Sequence, residues 1–175
     1  MKKNNWKIVL AGEGGQGLIM AGRILAETAA LHEGKTATQS QSYGSQQRGG
    51  FSSAEVVIAD NEIYYPKADL PDVVLALTQV AYEKYHNNVP DQCVILYDID
   101  EVESKRGKGD KGYPLKRLSL EMKDQRVINT IGLGVLVKAT GVVSTKNVVE
   151  VMKKYFKDDA FSLNEQSFFN AYNLD

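Results

Sequence analysis

Apolar positions along the chain fall into two kinds of run. The short continuous kind comprises Trp6-Lys7-Ile8-Val9-Leu10-Ala11, halting at Gly12; Val73-Val74-Leu75-Ala76-Leu77; and Val94-Ile95-Leu96-Tyr97, ending at Asp98. A strand covered on both faces has no reason to alternate with polar residues, so these runs predict buried strands of a parallel sheet. Residues 51–59 (FSSAEVVIA) start small and polar, finish continuously apolar, and predict another strand; 36–39 predict a second strand in chain order. The other kind recurs at helical spacing. Leu18, Ala21, Leu25 and Thr28/Ala29 predict a helix, with Gly34 where a stop belongs. Thr78 is placed to cap a helix running to about Tyr85, and Ser144 one running to about Tyr155. Residues 130–140 predict a helix ending at Gly141, and 164–172 a short one anchored by Phe168 and Phe169. Between these lie 40–50, a polar stretch with three glycines, 63–66, an extended or turn segment, and 104–112, with four basic residues against one acid. The first and last of these read as exposed loops.

Strands interleaved with helices predict an α/β fold. The expected form is a single domain over 1–175: a three-layer sandwich with an open, mostly parallel, Rossmann-like sheet and helices on both faces. A chain of 175 residues is long enough to bury a core without disulfide or metal. Lysine plus arginine number 21 and aspartate plus glutamate 22, a net charge of −1, which excludes a strongly basic nucleic-acid binder and a polyanionic tail. Cys93 is the single cysteine, and it reads as a core residue in a strand. One thiol excludes an intrachain disulfide and a chain-internal iron–sulfur cluster, which takes about four thiolates. With only His32 and His86, a zinc finger is excluded too. The N-terminus has no apolar stretch of signal length, and no run reaches the roughly 20 residues of a membrane span. The expectation is a cytoplasmic protein with no membrane or nucleic-acid partner.

Two glycine motifs carry the candidate chemistry. Gly12-Glu13-Gly14-Gly15-Gln16-Gly17 follows a strand and opens a helix, the context of a phosphate-cradling turn. Glycines let backbone N–H groups approach an anion, and the helix N-terminus adds partial positive charge. Dinucleotide binding would require a carboxylate about 20 residues on, where this chain reads Thr36-Ala37-Thr38-Gln39-Ser40-Gln41, and Glu13 puts a negative charge into the turn. Another phosphate contact, a subunit contact, or a turn that only lets strand and helix pack stay open. The second motif is Ser42-Tyr43-Gly44-Ser45-Gln46-Gln47-Arg48-Gly49-Gly50. A polar loop holding an arginine among glycines is costly to order. At the carboxyl edge of such a sheet, ligands or partners bind.

GEGGQG followed by SYGSQQRGG resembles the γ subunit of 2-oxoacid:ferredoxin oxidoreductases, the pyruvate/ketoisovalerate oxidoreductase catalytic-domain family. Residues 66–85, 129–144 and 164–172 resemble the family's central strand–helix segment, late helix and terminal helix. The family usually carries Pro-Glu where this chain has Ser45-Gln46, and Asn-Met where it has Asn129-Thr130. The resemblance implies a complex that decarboxylates a 2-oxoacid on thiamine diphosphate with Mg, passes electrons through [4Fe–4S] clusters to ferredoxin, and releases an acyl-CoA. It places thiamine in α and β subunits and further clusters in a δ subunit or domain. It leaves this chain a structural and assembly part, inactive alone, with no cofactor or metal of its own. Gly12, Gly14, Gly15, Gln16, Gly17, Ser42, Tyr43, Gly44, Arg48, Gly49 and Gly50 would form one surface facing the catalytic subunits. Arg48 would make a bidentate contact with a carboxylate or phosphate of a partner or of CoA. Among 2-oxoacids the reading leans to 2-oxoglutarate, with pyruvate and branched-chain acids such as ketoisovalerate open. The alternatives are the β-type subunit of an indolepyruvate oxidoreductase and a stand-alone nucleotide-binding protein; a homodimer in isolation is also open.

The remaining features read more plainly. Lys105, Arg106, Lys108 and Lys111 suit a solvated loop, and His86 a surface or helix-end site. Tyr64 and Tyr65 suit a subunit contact or the sheet face.

Overall fold

The computed structural model describes residues 3–44, 50–104 and 109–174. Six strands form one sheet: β1 (Asn5–Glu13), β2 (Thr36–Tyr43), β3 (Phe51–Ala59), β4 (Val73–Ala76), β5 (Val94–Asp98) and β6 (Lys111–Tyr113), in the order β2-β3-β1-β4-β5-β6. Pairing is parallel from β1 through β4 and β5 to β6, and antiparallel where β3 meets β1 and β2. Five of the six strands therefore point one way, and the expected open, mostly parallel sheet is present. The helices are α1 (Leu18–His32), α2 (Gln79–His86), α3 (Leu115–Glu121), α4 (Ile128–Thr140), α5 (Thr145–Tyr155) and α6 (Asp158–Tyr172), with a 3-10 turn at Gln125–Val127 before α4.

Side-chain alternation divides β1 between two cores. Ile8 and Leu10 face the larger one, with Val56, Ile58, Val73, Leu75 and Leu77, and α1, α3, α4, α5 and α6 all contribute to it. Val9 and Ala11 face the smaller one, with Val74, Ala76 and Ile95 under Ala81 and Tyr82 of α2. Helices thus cover both faces, but very unequally. Each fully buried Leu or Ile contributes about 1.5–3 kcal/mol, so the weight of the core lies on the α1 side.

Local signals placed several ends. The Thr78 hydroxyl accepts from Ala81 N–H to cap α2, and the Ser144 hydroxyl from Asn147 N–H to cap α5. Gly141, at φ 58°, ends α4. The structure differs from expectation in five places. Ser40 to Tyr43 extend β2 rather than opening a loop, because the hairpin register with β3 continues through Ser42–Ser53 and Tyr43–Ser52. Within 104–112, expected as loop, Lys111 and Gly112 belong to β6. Helix α3 was not foreseen, and α6 begins six residues before the expected start. Cys93 is buried but precedes β5, and burial pushes its thiol up to about 12.

Candidate functional site

The two glycine motifs meet at the carboxyl edge of the sheet. β1 and β3 run antiparallel, so the end of β1 lies beside the start of β3, and Gly14 N–H donates to the Gly50 carbonyl at 2.9 Å. Gly44 N–H closes the neighbouring hairpin on the Phe51 carbonyl at 2.7 Å. Gly12, Gly14, Gly15, Gln16, Gly17, Gly44 and Gly50 therefore share one edge. Ser42 and Tyr43 approach it as the last residues of β2, opposite Ser53 and Ser52. Arg48 and Gly49 lie outside the described residues, as do Lys105, Arg106 and Lys108.

The glycine turn spends three of its donors on the chain itself. Glu13 N–H donates to Oε1 of Gln16 at 2.7 Å, Gly14 N–H to Gly50, and Gln16 N–H to the Glu13 carbonyl at 3.2 Å. Gly17, at φ 75°, caps α1 without a side chain, and its carbonyl accepts from Nδ2 of buried Asn129 at 3.3 Å. A Cβ at Gly17 would stand 2.5 Å from that Nδ2, whereas one at Gly15, φ 100°, would meet open space. The turn is a junction of β1, β3, α1 and α4. Its Glu13, Gly14 and Gln16 N–H groups already have acceptors within the chain, and α1 starts from it without a side-chain cap.

Strand order also removes the dinucleotide reading. In a dinucleotide-binding unit the second strand lies next to the first and brings its carboxylate to the ribose. Here β3 stands between β1 and β2, so no residue of β2 borders the glycine turn on that side.

Beside the turn is a cleft of about 470 Å³ whose lining includes Glu13, Gln16, Thr78, Glu101, Lys116 and Arg126. Its two cations are already paired. Lys116 is bonded to Glu101, which raises its pKa, and Arg126 grips Asp124 at 2.6 Å. The Arg126 hydrogen bond holds the Asp124 carboxyl down at about 2. Behind the cleft, Asp98 is fully buried at the end of β5. Its carboxylate accepts from Asp100 N–H and, at 2.9 Å, from Lys116 N–H in the first turn of α3. Burial raises its pKa against those donors.

Val80, Ile99 and Leu120, 63%, 45% and 50% exposed, each lie within two residues of a lining residue (Thr78, Glu101 and Ser119). Large apolar groups left in water mark a protein contact more than a small-ligand pocket.

Sequence reasoning missed Asn129, Asp98, Lys116 and Arg126. Asn129 had a signal: a polar residue opening the otherwise apolar stretch of α4. The others are assembled from separate elements and had none. His86 proves half-buried, stacked on Tyr82 with Nδ1 at 2.9 Å from its hydroxyl. Tyr64 is 90% exposed and Tyr65 is also exposed, which excludes the sheet face for both. Among the described residues, no group of three or more His, Cys, Asp or Glu side chains is placed to hold a metal ion, and no helix is long and apolar enough to cross a membrane.

Residues 7–174 match the model of the family described as pyruvate ferredoxin/flavodoxin oxidoreductase. The 2-oxoglutarate synthase subunit KorC of Methanocaldococcus jannaschii is 42% identical over 147 residues, covering 81% of this chain and 79% of the relative. The common γ subunit of the pyruvate/ketoisovalerate oxidoreductases of Pyrococcus furiosus is 28% identical over 92% of both chains. Among solved structures, the γ subunit of a keto/oxoacid ferredoxin oxidoreductase from Geobacter sulfurreducens matches with a TM-score of 0.86 and 34% identity, over 97% of this chain and 95% of that one.

Proposed function

The chain belongs to the pyruvate ferredoxin/flavodoxin oxidoreductase family, and from that premise we propose that it is the γ-type assembly subunit of a 2-oxoacid:ferredoxin oxidoreductase acting on 2-oxoglutarate. The choice of acid follows the relatives named 2-oxoglutarate synthase subunit KorC, at 37–42% identity. The α and β subunits supply thiamine diphosphate with Mg, iron–sulfur clusters there and in a δ subunit carry electrons to ferredoxin, and CoA takes the acyl group.

The observation that carries the reading is the carboxyl edge itself. Two glycine motifs are locked together by the Gly14–Gly50 bond, the Glu13, Gly14 and Gln16 N–H groups are spent internally, and Val80, at the start of α2 on the same edge, is exposed. Such an edge suits docking of a folded partner. The residues of this chain do not fit a [4Fe–4S] cluster, since the one thiol, Cys93, is buried and held protonated. Arg48 is the charged member of the docking motif, and its fork suits a carboxylate or phosphate on the partner side.

The test is an anaerobic pull-down of the tagged chain from its native cells. The eluate is assayed for iron, thiamine and CoA-dependent viologen reduction with several 2-oxoacids. Co-elution of iron and thiamine with activity on 2-oxoglutarate is the expected result. Activity on another acid alone corrects the substrate. A chain that elutes alone from an extract holding the activity overturns the subunit role.

A further inference from the structure

The sheet has two edges, the short β6 and the longer β2. β2 is an end strand of eight residues, Thr-Ala-Thr-Gln-Ser-Gln-Ser-Tyr, with no charge, proline or glycine. Proteins ordinarily blunt such edges with lysine, proline or a bulge, because unpaired N–H and C=O groups recruit another strand. Here none of those devices is present within the strand.

The register says which groups are free. Gly44 N–H donates to Phe51, and Gly44 and Phe51 extend the β2–β3 register by one step. Hydrogen-bonded pairs alternate along an antiparallel ladder. Ser42, Ser40, Thr38 and Thr36 therefore spend their backbone groups on β3, and those of Ala37, Gln39, Gln41 and Tyr43 point outward. Side chains divide the same way. Ala37 and Gln39 lie on the α1 side, where Gln39 Nε2 donates to the Ile19 carbonyl at 2.8 Å. Thr36, Thr38, Ser40 and Ser42 form a row of hydroxyls on the other face, and the buried hydroxyls of Thr38 and Ser40 have no hydrogen-bond partner.

We propose that β2 pairs antiparallel with β2 of a second copy of this chain across a two-fold axis at Ser40, joining two sheets into one. One register satisfies all four outward residues: Ala37 opposite Tyr43, and Gln39 opposite Gln41, each pair occurring twice for about eight backbone hydrogen bonds. The same register sets Ser40 against Ser40 and Thr38 against Ser42, small side chains that leave the two backbones free to approach. An uncharged strand meets its own copy without repulsion, which a strand of fixed charge cannot do. This is what favours a second copy over a charged partner segment.

Sedimentation of the full chain over a roughly hundredfold concentration range tests for the dimer. Gln41→Pro removes only an outward N–H, which an edge strand tolerates. It should weaken self-association about tenfold or more while the monomer keeps its circular dichroism. Should that variant fail to fold, Gln41→Lys replaces it, with the same expectation. Ser40→Cys should give a disulfide-linked dimer on mild oxidation, since residue 40 faces itself within disulfide reach. Thr36→Cys, off the axis on the same face, should not, and buried Cys93 stays out of the reaction. A wild-type chain that is monomeric throughout overturns the proposal. So does a dimer that survives the edge substitutions and does not cross-link at position 40. Protection of the outward amides from hydrogen exchange only when partner subunits are added also overturns it, and assigns the edge to one of them.

Discussion

At Gly17 two demands fall on one residue. Its φ of 75° lies where a Cβ is strained, and the space a Cβ would take holds the amide of Asn129. Gly15 carries the first demand without the second, since its φ is 100° and its surroundings are open. Gly15→Ala should therefore cost about 1 kcal/mol, the left-handed penalty alone. Gly17→Ala should cost about 2–3 kcal/mol, because the buried Asn129–Gly17 hydrogen bond is displaced as well. Urea unfolding of the two variants measures the difference, and equal costs would refute the crowding argument. Asp98 makes a prediction in pH. Burial raises its folded-state pKa above the unfolded value of about 3.9, despite the donors on its carboxylate. A raised carboxyl stabilises the fold most below the unfolded value, and that contribution fades as pH climbs through the folded one. Asp98→Asn should be less stable than the parent near pH 4, and the gap should narrow toward pH 7. A gap that widens over that range would contradict the assignment.

Among the elements, α4 and α6 cross where neither offers bulk. A Cβ on Gly134 would sit 2.4 Å from the Phe168 carbonyl oxygen and 3.1 Å from Ala171 Cβ. Backbone cannot swing aside as a side chain can, so Gly134→Ala must push the helices apart. The expected cost is about 1–3 kcal/mol, seen as a lower Tm with secondary structure retained. The apolar stretch of α4 and its αL stop at Gly141 were legible because their causes are local, as were the caps at Thr78 and Ser144. What was hidden depends on distant residues. α3 has no side-chain cap of its own at Pro114; Asp98 and Asp100, from the end of β5, accept its Lys116 and Arg117 N–H groups instead. The second half of β2 has no apolar residue before Tyr43, and it is a strand because β3 offers it a ladder. The site divided likewise: glycines that turn a chain announce themselves, whereas the Lys116–Glu101 pair exists only once α3 is in place beside the end of β5.

The whole molecule has two unlike ends. α1 runs back from the glycine turn, so Leu31, near its close, lies at the amino edge of the sheet, while Val80 opens α2 at the carboxyl edge. Both are large and nearly equally exposed, 60% and 63%. A change that merely alters solubility cannot tell them apart; docking through the carboxyl edge can. Aspartate at either position should change stability by no more than about 0.5 kcal/mol, since little packing is lost. Val80→Asp would nonetheless bury a charge against the partner, and an unpaired buried charge is severely penalised. Tagged Val80→Asp should therefore recover at least about tenfold less iron and thiamine from the native extract than the parent, equivalent to 1.4 kcal/mol or more of binding. Leu31→Asp should recover as much as the parent. If the two variants lose partners equally, the docking surface is not confined to the edge where the glycine motifs meet. If neither does, the start of α2 does not take part in assembly, and the contact must be sought on the remaining surface, with Tyr64 and Tyr65 the next positions to substitute.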